Sequence, residues 1–369
     1  DWLSSRGLGD VYKRQPLEGI KVLDISRILA GPHAAQTLSD MGAQVTKIEA
    51  PWGDDSRKWG PPFQPGFDGN EVASYFLSCN RGKEILFANI KEEREKIRSL
   101  IEESDVIIEN FRPGTFDRLL GPVRDDLIVC SISGYGQTGP RRDEPAFDLT
   151  MQARSGIMSV TGEKEGAPAK VGVAWIDVMT GMNAVSSILA CLLRREKTGR
   201  GARIDISLWD TALASLVNQG HNALAGMKTR RMGSSHPNLV PYRVFQVSDG
   251  WFAIGVGTSG QWEKLVEALS LDSPESWIEN SVRIENRDLV ESMVHDSIRG
   301  FTRADLEELL IGVPCASVNT ISEALDDPQS HFRENVTHYS GVPTLASPFR
   351  FISAQKELMK EQSGSREQH

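Results

Sequence analysis

One carboxylate in this chain stands where a nucleophile would be placed. In VGVAWIDVMTGMNAVSSILACLLRREKTGRG a short apolar run, residues 171–176, ends on Asp177. A helical pattern follows at once, with Met182, Val185, Ile188, Leu189 and Leu192 at three- and four-residue spacing. A carboxylate at such a join is a natural helix N-cap, favoured by unpaired N–H groups and the positive end of the helix dipole. The same field should keep it ionised, the state an attacking carboxylate needs. The plain alternative is a cap and nothing more.

Other residues could hold a ligand beside it. GYGQTGP, with Tyr135 inside it, places flexible backbone after the apolar strand 127–133. Open α/β sheets bind ligands at that edge. Arg57 precedes Trp59, Lys91 follows the strand 84–89, Arg112 and Arg118 follow VIIENF, and Asn110 and Arg118 flank the turn Arg112-Pro-Gly-Thr. Singly, each cation reads as a solvated surface charge. Together they could form a phosphate-binding rim. Two GxGxxG matches, at Gly134–Gly139 and Gly255–Gly260, are rejected as dinucleotide sites. The first runs into Pro140 and RRDEP where a helix should open, and the second follows a hairpin arm instead of opening a βαβ unit. No GxxxxGK[ST] loop and no GxSxG elbow occur.

The elements that must position these residues alternate. Strand-like IKVLDI leads into helical AAQTLSDMG, then strand-like QVTKIEA; the amphipathic KEEREKIRSLIEESD feeds VIIENF, and LIVCSIS follows. RIDISL comes after the long helix and precedes a helix expected from Trp209 to Met227. This alternation predicts an α/β fold with a parallel sheet covered by helices. The texture then changes. YRVFQVSDGWFAIGVG reads as a hairpin turning at Asp249-Gly250, and helical QWEKLVEALS, RDLVESMVHDSIRGF and RADLEELLIG follow. Residues 225–330 are therefore expected as a smaller α+β domain inserted into a large one made of 16–224 and 331–369. ENVTHYSGVPTLASPFRFIS is strand-like and could rejoin the first sheet. Residues 1–15 read as a non-native or disordered leader, and the polar tail QSGSREQH as disordered.

The bulk numbers narrow the class. The chain has 369 residues, 39% hydrophobic and 25% charged, as an ordinary globular protein does. No apolar run in the sequence approaches the length needed to span a membrane. The four cysteines are scattered and form no CxxC pair, so they read as reduced core thiols. The seven histidines show no HxxxH or HxH spacing, which leaves a metal site without support. A formal net charge of −9 argues against nucleic acid as a partner.

The motifs in order resemble a known family. PLEGIKVLDISRILAGP, MGAQVTKIEAPWGDDSRKWGPPF, NRGKEI, DVIIENFRPGTFDRL, SISGYGQTGP, GVAWIDVMTGMNA and KTGRGARIDISLWD are similar to those of the class III CoA-transferases. SHPNLVPYRVFQVSDGWFAIGVGTSGQWEKL and GVPCASVNTISEALDDPQ extend the match to nearly all of the chain after residue 15.

The resemblance implies that Asp177 is the catalytic aspartate. It would attack an acyl-CoA thioester to give a mixed anhydride, then carry CoA as an aspartyl thioester until an acceptor carboxylate takes it. CoA-contacting positions fall on Ile28, Leu29, Lys91, Asn110, Arg118 and Tyr135. Leu29 and Ser133 depart from residues often found in the family. The CoA thioester is a substrate, with no tightly bound cofactor. The family's fold implies a homodimer of interlocked rings. Reduced cysteines fit a cytoplasmic location, or the mitochondrial matrix in a eukaryote. The region around Arg230, Arg231 and His236 resembles the branch that uses dicarboxylates such as succinate and glutarate, and those three residues are candidates for the distal carboxylate. Two rivals are weighed. A 2-methylacyl-CoA racemase of the same superfamily needs a histidine base where Phe147 stands before Asp148. A non-catalytic CoA-binding protein would share the fold alone.

Overall fold

The computed structural model describes residues 15–67 and 69–351, so all of the expected leader but Gln15, and the polar tail, lie outside the described residues. Six parallel strands form the main sheet: β1 (Lys21–Asp24), β2 (Gln44–Glu49), β3 (Glu84–Phe87), β4 (Val106–Glu109), β5 (Ile128–Ser133) and β6 (Ala202–Ser207). Their spatial order is β3-β2-β1-β4-β5-β6. β4 and β5 are buried along their whole length, which is why they read as unbroken apolar runs. The order reverses between β1 and β4, so the carboxyl ends of those strands open a crevice at the topological switch point.

Helices α1 (Ala30–Asp40), α2 (Arg94–Glu103), α3 (Thr115–Leu120), α4 (Asp148–Arg154), α5 (Trp175–Thr198) and α6 (Leu208–Ala214) belong to the same unit. α1 starts directly above the crevice. Pro32 costs it nothing, because first-turn N–H groups have no intrahelical partner. Gly31 lets α1 approach the turn after β1, since a Cβ there would sit 2.4 Å from the Ser26 Cβ. Gly181 does the same for α5, where a Cβ would lie 2.8 Å from the Ala30 carbonyl oxygen. α5 buries Ile176, Thr180, Ala184, Val185, Ile188 and Leu192 and ends at Gly199, whose positive φ suits a C′ position. Contrary to the sequence reading, this 24-residue helix is long and apolar enough to cross a membrane. One of its faces is instead packed inside the unit, and charged residues stand in both its first and last turns.

Among the described residues this unit holds those up to Ser155, Gly172–Leu216, and those from Gln329 on. A second compact unit holds Gly156–Val171 and Val217–Pro328. It thus includes the segment 156–171, which the sequence reading placed in the large domain. The helix expected from Trp209 to Met227 is broken after α6, and α7 (Val217–Leu224) starts on Val217 at φ 44. The second unit carries the expected hairpin, β7 (Tyr242–Val247) and β8 (Gly250–Gly255), joined by β9 (Cys315–Ser317) in an antiparallel sheet. Its core gathers Phe252, Trp262, Leu265, Val290, Val294, Ile298 and Leu306. The strand-like segment after residue 335 does not rejoin the main sheet. Val336–Tyr339 and Val342–Leu345 pair with each other, and only Val342 of the eight is buried.

Candidate active site

Asp177 lies on the first turn of α5 and is 9% exposed. It is not the cap: the N-cap position is Ala174, which makes no side-chain cap bond. The carboxylate that serves this helix end is Asp148, at the start of α4. Its Oδ1 accepts from the Ile176 N–H at 2.8 Å and from the Asp177 N–H at 3.4 Å. Gln152 Nε2 donates to the other oxygen at 2.6 Å. The expectation that the helix field keeps Asp177 ionised is overturned as well. Burial pushes its carboxyl up to about 7, and the Asp148 charge adds to the effect. Two carboxyl groups here divide the work: Asp148 satisfies backbone, and Asp177 is left poised near neutrality.

Asp177 faces a cavity of about 120 Å³ lined also by Ile28, Leu29, Asn110, Gly134, Phe147 and Leu208. These residues follow the carboxyl ends of β1, β4, β5 and β6, at the crevice the strand order creates. An outer cleft of about 460 Å³ shares Arg27, Ile28, Asn110, Ala146 and Phe147 with it, and adds Asp55, Lys58 and Trp59. The inner cavity alone is too small for a cofactor-sized ligand, whereas the two together reach that scale.

The site residues expected from the sequence separate into groups. Ile28, Leu29, Asn110 and Asp177 meet at the inner cavity. The Asn110 side chain, however, is committed to backbone: its Oδ1 accepts from the Arg27 N–H at 3.0 Å and its Nδ2 donates to the Arg27 carbonyl at 2.8 Å. Tyr135 stands outside the lining, with its ring 6.0 Å from Trp209 and the Arg154 guanidinium 5.6 Å from its centre. Lys91 and Arg118 are exposed and line neither cavity. Arg57 is no rim cation. It forms a bidentate pair with Glu49, at 2.7 and 2.9 Å, and its guanidinium lies 3.9 Å from the Phe76 ring centre. Arg27 and Lys58, which the sequence reading passed over, are the cations of the outer cleft. Ser133 caps the glycine turn, its Oγ accepting from the Gly136 N–H at 2.9 Å.

The sequence reading also missed a buried charge cluster under the turn after β1. Lys83 donates to Asp24, Asn80 and the Pro32 carbonyl, and Lys47 donates to the Ser26 carbonyl. Lys47 Nζ is also 3.3 Å from Asp54 and 3.9 Å from Asp24, and all four charged side chains are almost wholly buried.

In the second unit, Arg230 lines a separate cavity of about 860 Å³, where Arg243 and Arg287 both pair with Glu291. Arg231 is spent on the carbonyls of Glu163 and Gly166. His236 Nδ1 accepts from the Asn238 N–H at 3.0 Å, and burial with the nearby Arg287 charge lowers its pKa. Among the described residues no cluster suited to a metal ion occurs.

Residues 17–362 match the family described as CoA-transferase family III. The succinate–glutarate CoA-transferase of Agrobacterium fabrum is 39% identical over 337 residues, 87% of this chain and 84% of that one. The succinyl-CoA:glutarate CoA-transferase of Mus musculus is 36% identical, over 88% of this chain and 77% of that one. The crystal structure of a CAIB/BAIF family protein from Brucella suis superposes with a TM-score of 0.83 at 42% identity, covering 93% of this chain and 94% of that one. Those matches run across the strand ends and helix turn that build the Asp177 cavity, and the chain is an enzyme that belongs to CoA-transferase family III.

Proposed function

We propose that this enzyme moves CoA from succinyl-CoA to a free dicarboxylate such as glutarate, with Asp177 as the covalent nucleophile. The observation that carries the assignment is Asp177 itself: a carboxyl titrating near 7, facing a cavity at the sheet's switch point. Its carboxylate attacks the thioester carbonyl and expels CoA thiolate, leaving a mixed anhydride. The thiolate attacks the aspartyl carbonyl of that anhydride, releasing the donor acid and forming an aspartyl-CoA thioester. The acceptor carboxylate then attacks this thioester and expels thiolate again, which takes the acceptor's acyl group and frees Asp177. No proton is gained or lost overall. A carboxyl held near neutrality is both ionised often enough to attack and a good enough leaving group in the anhydride. The donor and acceptor follow the names of the relatives, and the outer cleft with Arg27 and Lys58 offers cations to the phosphates of CoA.

Phe147 lines the cavity where a racemase would need its imidazole, and a phenyl ring cannot take up the α-proton. The reading includes a homodimer. Leu224, Ile311, Ile321 and Phe332 are each more than 80% exposed, which favours cover by a second copy.

The test is to trap the acyl group. Incubated with succinyl-CoA and hydroxylamine, the enzyme should yield a hydroxamate at Asp177, found by mass spectrometry. Asp177→Ala should abolish transfer while CoA binding stays within about tenfold. An alanine variant that keeps transferring CoA refutes the mechanism.

A further inference from the structure

Ile28 has φ 73, in the left-handed region. A β-branched residue rarely adopts that conformation, and something around it must hold it there. The surrounding contacts are specific. The Ile28 N–H points to the Asp54 carboxylate, 3.2 Å from Oδ2 and 3.4 Å from Oδ1. Arg27, one residue earlier, is pinned through both its N–H and its carbonyl by Asn110. Ser26, before that, is bonded by Asp24 and by Lys47.

Asp54 is itself fixed. Its backbone N–H donates to Glu49 Oε2 at 2.8 Å, and Arg57 locks Glu49 from the other side. Lys47 lies 3.3 Å from its Oδ2, and Ser56 donates to its Oδ1 through both N–H and Oγ. Asp54 is 2% exposed, so its charge is desolvated and answered only by these partners. A buried ion network of this kind is an expensive way to hold one turn, and a hydrophobic filling would serve stability equally well. What the network secures is a conformation: Ile28 turned left-handed, so that Ile28, Leu29 and Ala30 wall the Asp177 cavity.

We propose that Asp54 is a positioning residue for the transfer reaction, holding Ile28 in its left-handed turn and so shaping the wall opposite Asp177. The proposal rests on the reading of the Asp177 cavity as the reacting site. It predicts a particular coupling: Asp54 matters because residue 28 has a Cβ. Glycine adopts the same φ without strain, so with glycine at position 28 the turn forms without being held.

The experiment is a double-mutant cycle on the full chain, in Ile28 and Ile28→Gly backgrounds, reading kcat and KM for succinyl-CoA and the Tm of each variant. Asp54→Ser keeps a cap for the following turn but is too short to reach Ile28. It should lower kcat/KM about tenfold with isoleucine at 28, and less than threefold with glycine there. If the serine variant does not fold, Asp54→Thr, which also caps the following turn and is also too short to reach Ile28, takes its place in the same cycle with the same expected order. Equal losses in both backgrounds, or a Tm loss without a loss of kcat/KM, overturn the proposal. Asp177→Ala run alongside separates the two readings. If that variant stays active, the site assignment fails; if it is dead and the cycle shows no coupling, the positioning role alone fails.

Discussion

Replacing Asp177 with asparagine should make the protein more stable at neutral pH, and the gap should open only as pH rises. A carboxyl whose pKa lies at about 7 in the fold and 3.8 in the free side chain binds its proton more tightly when folded. That preference stabilises the fold fully below about pH 4 and is lost as pH climbs to about 7. Asparagine has the same shape and nothing to ionise. Each tenfold change in proton affinity is about 1.36 kcal/mol, so the distance from 3.8 to about 7 corresponds to a ceiling of about 4 kcal/mol. Relaxation and water entry around an ionised group leave roughly half of that. At about 2–4 °C per kcal/mol for a domain of 150–250 residues, a gap of at least about 4 °C is expected at pH 8. The assay is thermal unfolding of wild type and Asp177→Asn at half-unit pH intervals from 4 to 8, with CoA absent. The Tm difference should grow with pH and level off above 7. A flat difference, or a wild type that gains on the variant as pH rises, would show that Asp177 is ionised throughout and that the burial argument is wrong.

Two further outcomes follow from the same geometry. The kcat/KM for acyl-CoA should rise with pH through a limb near 7, and Asp148→Asn, by removing the neighbouring negative charge, should move that limb to lower pH in a pH–rate profile. A limb that stays put would mean that burial alone sets the pKa. Lys58→Ala should raise the KM for acyl-CoA more than Lys91→Ala or Arg118→Ala, because Lys58 lines the outer cleft and the other two do not. Steady-state kinetics at two salt concentrations would check this, since exposed charges lose their effect as salt screens them; equal effects in all three variants would undo the ranking.

The sequence by itself determined the elements and the place of Asp177 among them. Apolar runs such as VIIE and IVCSIS form all-buried parallel strands because no other structure hides both of their faces. Asp177 was legible because a carboxylate between a small-residue run and a long apolar helix has few local roles. Its electrostatic state was not. Local pattern suggests a capping, ionised aspartate, whereas Asp148, distant in the chain and brought to the same helix end by α4, takes the backbone N–H groups, and burial, reinforced by the Asp148 charge, pushes Asp177 toward neutrality. The same holds for the cations. Arg57, Lys91 and Arg118 carry equal charges in sequence, yet burial against Glu49 and Phe76 removes Arg57 from binding. The cluster of Asp24, Lys47, Asp54 and Lys83 could not be foreseen, because its members come from the end of β1, the interior of β2, the loop after β2 and the turn before β3. Periodicity reports which face of one element is apolar. Which charges share a buried space depends on how strands are ordered in the sheet, and only the tertiary structure decides that.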